Sequence, residues 1–339
     1  MKIGRDNLRG VMGIVLALLF IAFLREVKPA SSSAADFACD QPGRETVISI
    51  ASGETGSSIA QRLAALDVVL SAQAFFRVAV ADARSSAIAP GSHRISTNLC
   101  AAQALEQLLD TSRITNLLAI NEGIWNSEIS EKLVAIGFPR GEVTAALNSF
   151  PLPTGYTARE GLLFPAQYSF DSSTTLNQVL ETLVSRAQKE ISRAGIATAK
   201  DGFTPQQLLT VASLLEAEGN TGDYRKISQV IRNRLSVGMP LQFDSTVHYI
   251  EGKRGSIFLS TKSTLLNSAY NTYQRYGLPP GPINNPGFLA MQAAANPESG
   301  NWLYFITVAP GDTRFTESFT QFSEWKVLYK KNLREGKFS

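Results

Sequence analysis

The chain has 339 residues, 44% of them hydrophobic, which is enough to bury more than one core and excludes a small scaffold held together mainly by disulfides. Its formal charge of +3 is already supplied by the first 28 residues, so the rest of the chain is electrically balanced. This balance excludes the basic surface that a nucleic-acid partner requires and is compatible with a neutral polysaccharide. The two histidines and two cysteines are too few for a clustered metal site, so we expect neither a metal nor a cofactor.

The N-terminal segment contains the one apolar run near membrane length, Val11–Leu24, and three basic residues precede it. Basic residues before an apolar run predict a cytoplasmic N-terminus (1–9), a membrane anchor (10–28) and an extracytoplasmic remainder. The run is short for a membrane-spanning helix, and small residues follow it at 30–35. A cleaved signal peptide is therefore the alternative to an anchor.

Two cysteines, Cys39 and Cys100, lie beyond the apolar run. An oxidising extracytoplasmic compartment would allow them to form a disulfide. The alternative is a pair of buried free thiols, since cysteine is often buried as a small apolar residue.

The region after a Ser/Ala-rich linker (29–44) predicts a small α+β module at 45–111, with strands and helices signalled by periodicity, capping residues and glycines. Its expected elements are a strand at Thr46–Ile50, a helix through Ile59, Leu63 and Leu66, a helix at Ala74–Val80 capped by Ser71, a strand at Gly91–Ile95 and a helix at Ala101–Leu109.

A connecting subdomain is expected at 112–200. Its first part predicts a strand at Arg113–Ile120 and a helix at Ser127–Ile136 that ends at Gly137. Three helix-breaking residues, Pro151, Pro153 and Gly155, then mark an irregular connection.

The last region, 201–339, opens with a strong helix start. Thr204 can cap, Pro205 suits the first turn, and Gln207 completes a capping box. The helix should run to about Glu218 and carry an apolar stripe of Leu208, Val211, Ala212 and Leu215. At 100° per residue, Glu216 and Glu218 fall on opposite edges of this stripe, so only one of them can face a given cleft. A second helix, Ile227–Leu235, should pack against the first.

Several polar and aromatic residues downstream are candidates for binding a ligand. Gln242, Asp244 and Thr246 alternate as residues of a strand would, so all three would lie on one face and could form hydrogen bonds from it. Aromatic faces beside amides suit the same ligands. A buried polar brace is the alternative for Gln242, Asp244 and Thr246. A structural role is the alternative for Asn233 and Arg234. The other candidates are Asn233, Arg234, Tyr270, Asn271 and Tyr273, and Glu216 could line the cleft.

Ordered blocks of sequence carry a resemblance to a known family. The segment 209–219 reads LTVASLLEAEG, 238–249 reads GMPLQFDSTVHY, 270–273 reads YNTY, and 277–287 reads GLPPGPINNPG. With EGLLFPAQY at 160–168, they resemble the YceG-like family of endolytic murein transglycosylases over roughly residues 45 to 330.

This resemblance implies an α+β protein with an N-terminal membrane helix, a small LysM-like module and a C-terminal mixed α+β lytic transglycosylase domain. It implies cleavage of the β-1,4 bond between N-acetylmuramic acid and N-acetylglucosamine, with a 1,6-anhydromuramyl product. Position within the family motif favours Glu218 over Glu216 as the acid/base. The substrate implied by the resemblance is the glycan strands of peptidoglycan, and the family suggests that the enzyme terminates nascent strands. The partners it suggests are the cytoplasmic membrane and the cell-wall synthesis machinery.

The sequence departs from the family pattern in four places. Ser245 stands where the family commonly has proline, and Ala166-Gln167 replaces an acidic-Thr pair. A His-x-Phe element reads Thr313-Arg314-Phe315, and a later histidine is replaced near Phe322. A noncatalytic wall-binding protein and a hydrolytic muramidase stay open as alternatives, the latter because Asp244 or Glu216 could activate water.

Overall fold

The computed structural model describes residues 34–39, 41–51, 53–170, 173–254 and 259–338. The described residues up to Thr115 belong to one compact unit and those from Asn116 onward to a second. Both contain helices and small antiparallel sheets, which confirms the α+β class. The expected anchor at 10–28 lies outside the described residues. Within the described ranges, no helix combines the length and apolarity needed to cross a membrane.

The described part of the first unit is a three-stranded antiparallel sheet with three α-helices. Its elements are β1 (Glu45–Ile50), α1 (Gly56–Ala65), α2 (Ala72–Ala81), β2 (Gly91–Ser96), α3 (Ala101–Leu109) and β3 (Ile114–Thr115), with β2 in the centre of the sheet. Every element expected at 45–111 is confirmed, and Ser71 caps α2 by accepting a hydrogen bond from Ala74 N. A disulfide joins Cys39 to Cys100, the residue immediately before α3.

The second unit contains the helices that position the site. Its elements are β4 (Leu117–Ala119), α4 (Asn126–Ala135), α5 (Arg140–Ser149), β5 (Gln167–Ser169), α6 (Leu176–Ala194), α7 (Pro205–Glu218), α8 (Tyr224–Ser236), α9 (Asp244–Glu251), α10 (Phe288–Ala295), β6 (Tyr304–Ala309), β7 (Asp312–Thr316) and α11 (Phe319–Arg334). β4 pairs with β5 and β6 pairs with β7, both antiparallel.

The expected single strand at Arg113–Ile120 is wrong. The chain instead forms β3 and β4, which belong to different sheets, and turns between them at Asn116. Asn116 has a φ of 52°, a left-handed conformation that interrupts a strand and that asparagine tolerates better than most residues.

The central helix α7 is buried on more than its expected stripe. All positions from 208 to 215 are buried, including the polar Thr210 and Ser213. Each of these hydroxyls donates to a carbonyl one turn earlier, which satisfies the polar group inside the core. The predicted capping box of Thr204 and Gln207 is present. A helix packed on nearly all sides is a rigid support for the residue at its end.

The junction between α7 and α8 depends on a glycine. A β-carbon on Gly219 would lie too close to Ile227 Cδ1, so a larger residue would require the buried Ile227 side chain to shift. α7 and α8 pack against each other, as predicted. The close approach of Ile227 to Gly219 gives a physical reason why a small residue follows Glu218.

Candidate active site

Glu218 is the last residue of α7 and lines an open groove of about 820 Å³. The groove is formed by the end of α7, by α8, by the segment that leads into α9, and by β6 and α11. Burial raises the pKa of Glu218 to about 7, and the nearby charge of Asp244 acts in the same direction. The negative end of the α7 dipole also disfavours a charged carboxylate there. Glu218 can therefore hold a proton near neutral pH and release it within the groove.

Ser245 is the hydrogen-bond partner of Glu218. Its hydroxyl donates to Glu218 Oε1, and its backbone N–H donates to the same oxygen at 3.3 Å. Both hydrogen bonds favour the ionised carboxylate and lower its pKa against the effect of burial. Sequence reasoning noted Ser245 only as a departure from the family's proline and missed this contact.

Arg234 lines the same groove and is almost fully buried. Its guanidinium donates to the backbone carbonyls of Leu303 and Leu241 and lies 5.6 Å from the centre of the Tyr304 ring. These contacts fix it in place, and its charge lowers the pKa of Glu218. Arg234 therefore offsets part of the charge that develops when Glu218 gives up its proton.

Three more predicted residues, Gln242, Asp244 and Tyr273, line the groove. The Tyr273 hydroxyl donates to Asp244 Oδ1. The strand predicted through Gln242, Asp244 and Thr246 is wrong, because Gln242 has a φ of 51° and α9 begins at Asp244. Polar residues spaced by two are compatible with a loop followed by a helix start as well as with a strand.

Three predicted binding residues, Asn233, Thr246 and Asn271, have their polar atoms engaged within the protein. Asn233 Nδ2 donates to the carbonyls of Gly300 and Trp302, while the fully buried Thr246 donates to Phe243 O.

The fully buried Asn271 donates to the carbonyls of Thr264 and Leu266. These contacts match the polar-brace alternative for Thr246 and the structural alternative for Asn233, and they give Asn271 the same kind of role, because the donors of all three are already used inside the protein.

Glu216 faces a different cavity from Glu218. Its carboxylate accepts hydrogen bonds from the Tyr224 hydroxyl at 3.0 Å and from Gly287 N at 3.0 Å, at the start of α10. It lines a smaller cavity of about 340 Å³. The expectation that the two carboxylates face different clefts is confirmed, and Glu218 is the one in the larger groove.

An aromatic wall on β6 and α11 was not predicted. Tyr304 stacks on Phe322 with ring centres 5.2 Å apart, and Phe319 lies 5.7 Å from Tyr304. Lys326 lies 5.6 Å from the centre of the Phe322 ring. All four line the groove, and the three aromatic rings are faces of the kind on which sugar rings can stack. An aromatic-rich C-terminal segment was the available signal.

A second buried carboxyl, Glu160, lies elsewhere in the second unit. It accepts hydrogen bonds from Asn126 N, Asn285 Nδ2 and the Tyr249 hydroxyl, and burial raises its pKa to about 7. The predicted Tyr270 lines a cavity with Glu160 and Tyr249, separate from the groove of Glu218. The number and origin of its hydrogen bonds indicate that Glu160 ties three segments together.

Comparison with known families identifies the family to which this chain belongs. The profile of the YceG-like family matches residues 48–326, which is most of the chain. The chain belongs to the YceG-like family. Glu218, Arg234 and Asp244 all lie within the matched residues, as do most of the residues that line the groove.

Characterised relatives of this YceG-like chain include the endolytic murein transglycosylase of Bacillus subtilis (strain 168), 37% identical over 172 residues. The match covers 50% of this chain and 48% of that protein. The endolytic murein transglycosylase of Streptococcus pneumoniae is 37% identical over 152 residues, covering 43% of this chain and 28% of that protein. The chain thus spans about half of the first relative and less than a third of the second.

A crystal structure of a protein described as yceG-like from Listeria monocytogenes has the same fold. It superposes with a TM-score of 0.55 at 25% sequence identity, covering 83% of this chain and 99% of the other. The fold is therefore shared within the family despite low identity.

The departures from the YceG-like pattern near the C-terminus fall on and beside the groove. Thr313 pairs with Thr307 across the β6–β7 hairpin, and Arg314 forms an ion pair with Asp312 at 2.7 Å. Phe322 belongs to the aromatic wall. The hairpin contact of Thr313 and the aromatic wall at Phe322 therefore lie at or near the positions where the resemblance leads us to expect histidine.

Proposed function

We propose that this chain is an endolytic peptidoglycan lytic transglycosylase with Glu218 as its single acid/base. The observation that carries the proposal is a carboxyl with a pKa of about 7 in a polar and aromatic groove. The names of the Bacillus subtilis and Streptococcus pneumoniae relatives support the same activity. The proposed substrate is the β-1,4 bond between N-acetylmuramic acid and N-acetylglucosamine.

The proposed reaction uses Glu218 twice. Protonated Glu218 first donates its proton to the glycosidic oxygen as the bond to the anomeric carbon breaks. The C6 hydroxyl of the same muramyl residue then attacks that carbon, and its proton returns to Glu218. A 1,6-anhydro ring forms, no water is consumed, and Glu218 ends in the state in which it began. A second carboxylate is not needed, unlike in hydrolysis.

The other groove residues have proposed roles around this step. Arg234 stabilises the carboxylate form of Glu218, and Ser245 orients the carboxyl through its two hydrogen bonds. Gln242 and Tyr273 are placed to hydrogen-bond the substrate, and the aromatic wall stacks on its rings. Binding roles for Glu216, Asn233, Thr246, Tyr270 and Asn271 stay predictions.

A hydrolytic muramidase is the second candidate, because Asp244 lines the same groove as Glu218. A second carboxylate is what hydrolysis would need to activate water. Mass spectrometry separates the two reactions, because the hydrolysed product is heavier than the anhydro product by one water.

We also propose the setting in which the enzyme works. Residues 10–28 anchor it in the cytoplasmic membrane as a single pass with the N-terminus in the cytoplasm, and 45–111 form a LysM-like module outside. The chain terminates nascent strands beside the wall-synthesis machinery. Support comes from the positively charged N-terminus and from the family resemblance.

The test is digestion of purified glycan strands by the wild-type protein and by Glu218→Gln. We expect 1,6-anhydro ends from the wild type and none from the variant, with an unchanged circular dichroism spectrum. A wild type that binds strands without cutting them would instead support the noncatalytic alternative.

A further inference from the structure

A second cavity of about 340 Å³ lies beside the groove and is called here the acceptor cavity. Its lining includes Ala217, the neighbour of Glu218, and Ser245, which donates to Glu218. A group attached to a glycan in the groove could therefore reach it past Ser245.

Two carboxylates meet in the acceptor cavity at the start of α10. Glu216 Oε2 accepts from Gly287 N at 3.0 Å, and a β-carbon on Gly287 would overlap the carboxylate of Glu122. Burial and the charge of Glu216 raise the pKa of Glu122. No hydrogen bond to the Glu122 carboxylate is made by the described residues. Two carboxylates thus lie close together, and the described residues provide no hydrogen-bond donor for the carboxylate of Glu122.

A buried amide adds an independent sign of a ligand. Asn284 is only 2% exposed and lines the cavity. Its Nδ2 donates to Ser213 O at 2.8 Å, whereas its Oδ1 accepts no hydrogen bond from any described residue. A buried acceptor without a donor is costly, so a donor from a ligand would satisfy it.

Arg254 lines the cavity, and its guanidinium is already paired within the protein. Arg254 forms an ion pair with Glu128 at 2.7 Å, donates to Gly123 O at 2.6 Å and lies 4.1 Å from the centre of the Trp125 ring. Glu122 and Glu216 therefore give the cavity an excess of negative charge and of hydrogen-bond acceptors.

These features favour a particular class of ligand. Sugar hydroxyls both donate and accept and carry no charge, whereas a primary ammonium offers three donors, no acceptor and a positive charge. A divalent cation is less well matched, because no group of three His, Cys, Asp or Glu side chains suited to a metal ion occurs in the described part of the chain.

We propose that the acceptor cavity binds a primary ammonium group carried by the substrate, beside two residues of its lining, the carboxylate of Glu122 and the buried amide of Asn284. In peptidoglycan, such a group is the side-chain amine of the diamino acid in the peptides attached to the muramyl residues. This inference rests on the proposed function, which brings the glycan into the neighbouring groove. It makes the cavity a specificity site that distinguishes free from acylated or cross-linked peptides.

Direct binding tests the site without requiring cleavage. The wild-type chain is titrated, with NMR detection, with a free murein tripeptide bearing a side-chain amine and with the same tripeptide N-acetylated at that amine. We expect the free amine to bind about fivefold more tightly, as for a partly screened charged hydrogen bond. Glu122→Gln should remove this preference, while Glu142→Gln, an exposed carboxylate change on α5, should retain it.

Kinetics then connect the site to the reaction. The KM for strands with acetylated amines should exceed that for strands with free amines in the wild type, and the two should be equal in Glu122→Gln. Equal binding of both tripeptides, or a preference that survives in Glu122→Gln, would overturn the inference. So would Ca²⁺ binding that depends on Glu122 and excludes the peptide.

The two proposals fail separately. Selective binding of the amine by a protein that cuts no strand would contradict the proposed function and support the ammonium site. Cleavage with no preference for the amine would do the reverse.

Discussion

Replacing Ser245 with alanine should change the pH dependence of catalysis. The substitution removes the hydroxyl that donates to Glu218 Oε1 and leaves the weaker N–H donor at 3.3 Å. A hydrogen bond to a charged group contributes roughly 1.5–3 kcal/mol, and 1.36 kcal/mol corresponds to one pKa unit. The pKa of Glu218, which is about 7, should therefore rise by about one to two units.

The direction of the kinetic shift follows from the role of Glu218. An acid must be protonated, so activity is lost as the pH rises through its pKa. The basic limb of the profile of kcat/KM against pH should therefore move to higher pH in Ser245→Ala. Ser245→Pro removes both donors and should move it further, since proline is tolerated in the first turn of α9.

The matched control is Ser245→Thr, which keeps a hydroxyl and should keep the wild-type limb. The assay is the release of soluble fragments from labelled strands between about pH 5 and 10. If Ser245→Ala and Ser245→Pro are active with an unmoved basic limb, then Glu218 is not the titrating acid, and the reasoning is refuted.

Three further changes test other parts of the account. The double variant Cys39→Ser, Cys100→Ser should have a free energy of unfolding about 4 kcal/mol lower than that of the wild type, because the disulfide closes a separation of 61 residues. A melting temperature equal to that of the wild type would contradict this. Glu218→Gln should be more stable than the wild type above pH 7, by up to about 3 kcal/mol. Between the usual pKa of 4.5 and about 7, the unfolded wild type releases the proton of Glu218 while the folded wild type keeps it. The free energy of unfolding of the wild type therefore falls as the pH rises through this range, and glutamine removes this effect. Urea denaturation should show no such gain at pH 4. Asp244→Asn removes a negative charge that raises the pKa of Glu218, so the basic limb should move to lower pH while anhydro products persist; loss of all cleavage with an intact fold would favour the muramidase.

Local signals in the sequence predicted six of the eleven described α-helices, α1 to α4, α7 and α8. The capping box at Thr204 and Gln207 marked the start of α7, and the 100° spacing separated Glu216 from Glu218 into different cavities. These features depend on residues within one or two turns, which is why they can be predicted from a single chain.

Contacts between distant segments could not be predicted in the same way. Thr246 is tied to Thr272, 26 residues later, and this contact turns an apparent binding residue into a brace. Likewise, Phe322 enters the groove only because α11 packs beside β6. Neither residue lies in a local sequence pattern from which its contact could be predicted.

Some pairings needed both kinds of information. Ser245 was visible as a departure from the family's proline, but its link to Glu218 joins the start of α9 to the end of α7. The catalytic assignment itself came from the family motif, and the physical reason for it came from the burial and surroundings of Glu218.

The most direct test of the central claim is mass spectrometry of the fragments that the wild-type protein and Glu218→Gln release from defined glycan strands. The account predicts 1,6-anhydromuramyl ends from the wild type and no cleavage by the folded variant. Equal production of these ends by a folded Glu218→Gln variant would contradict it.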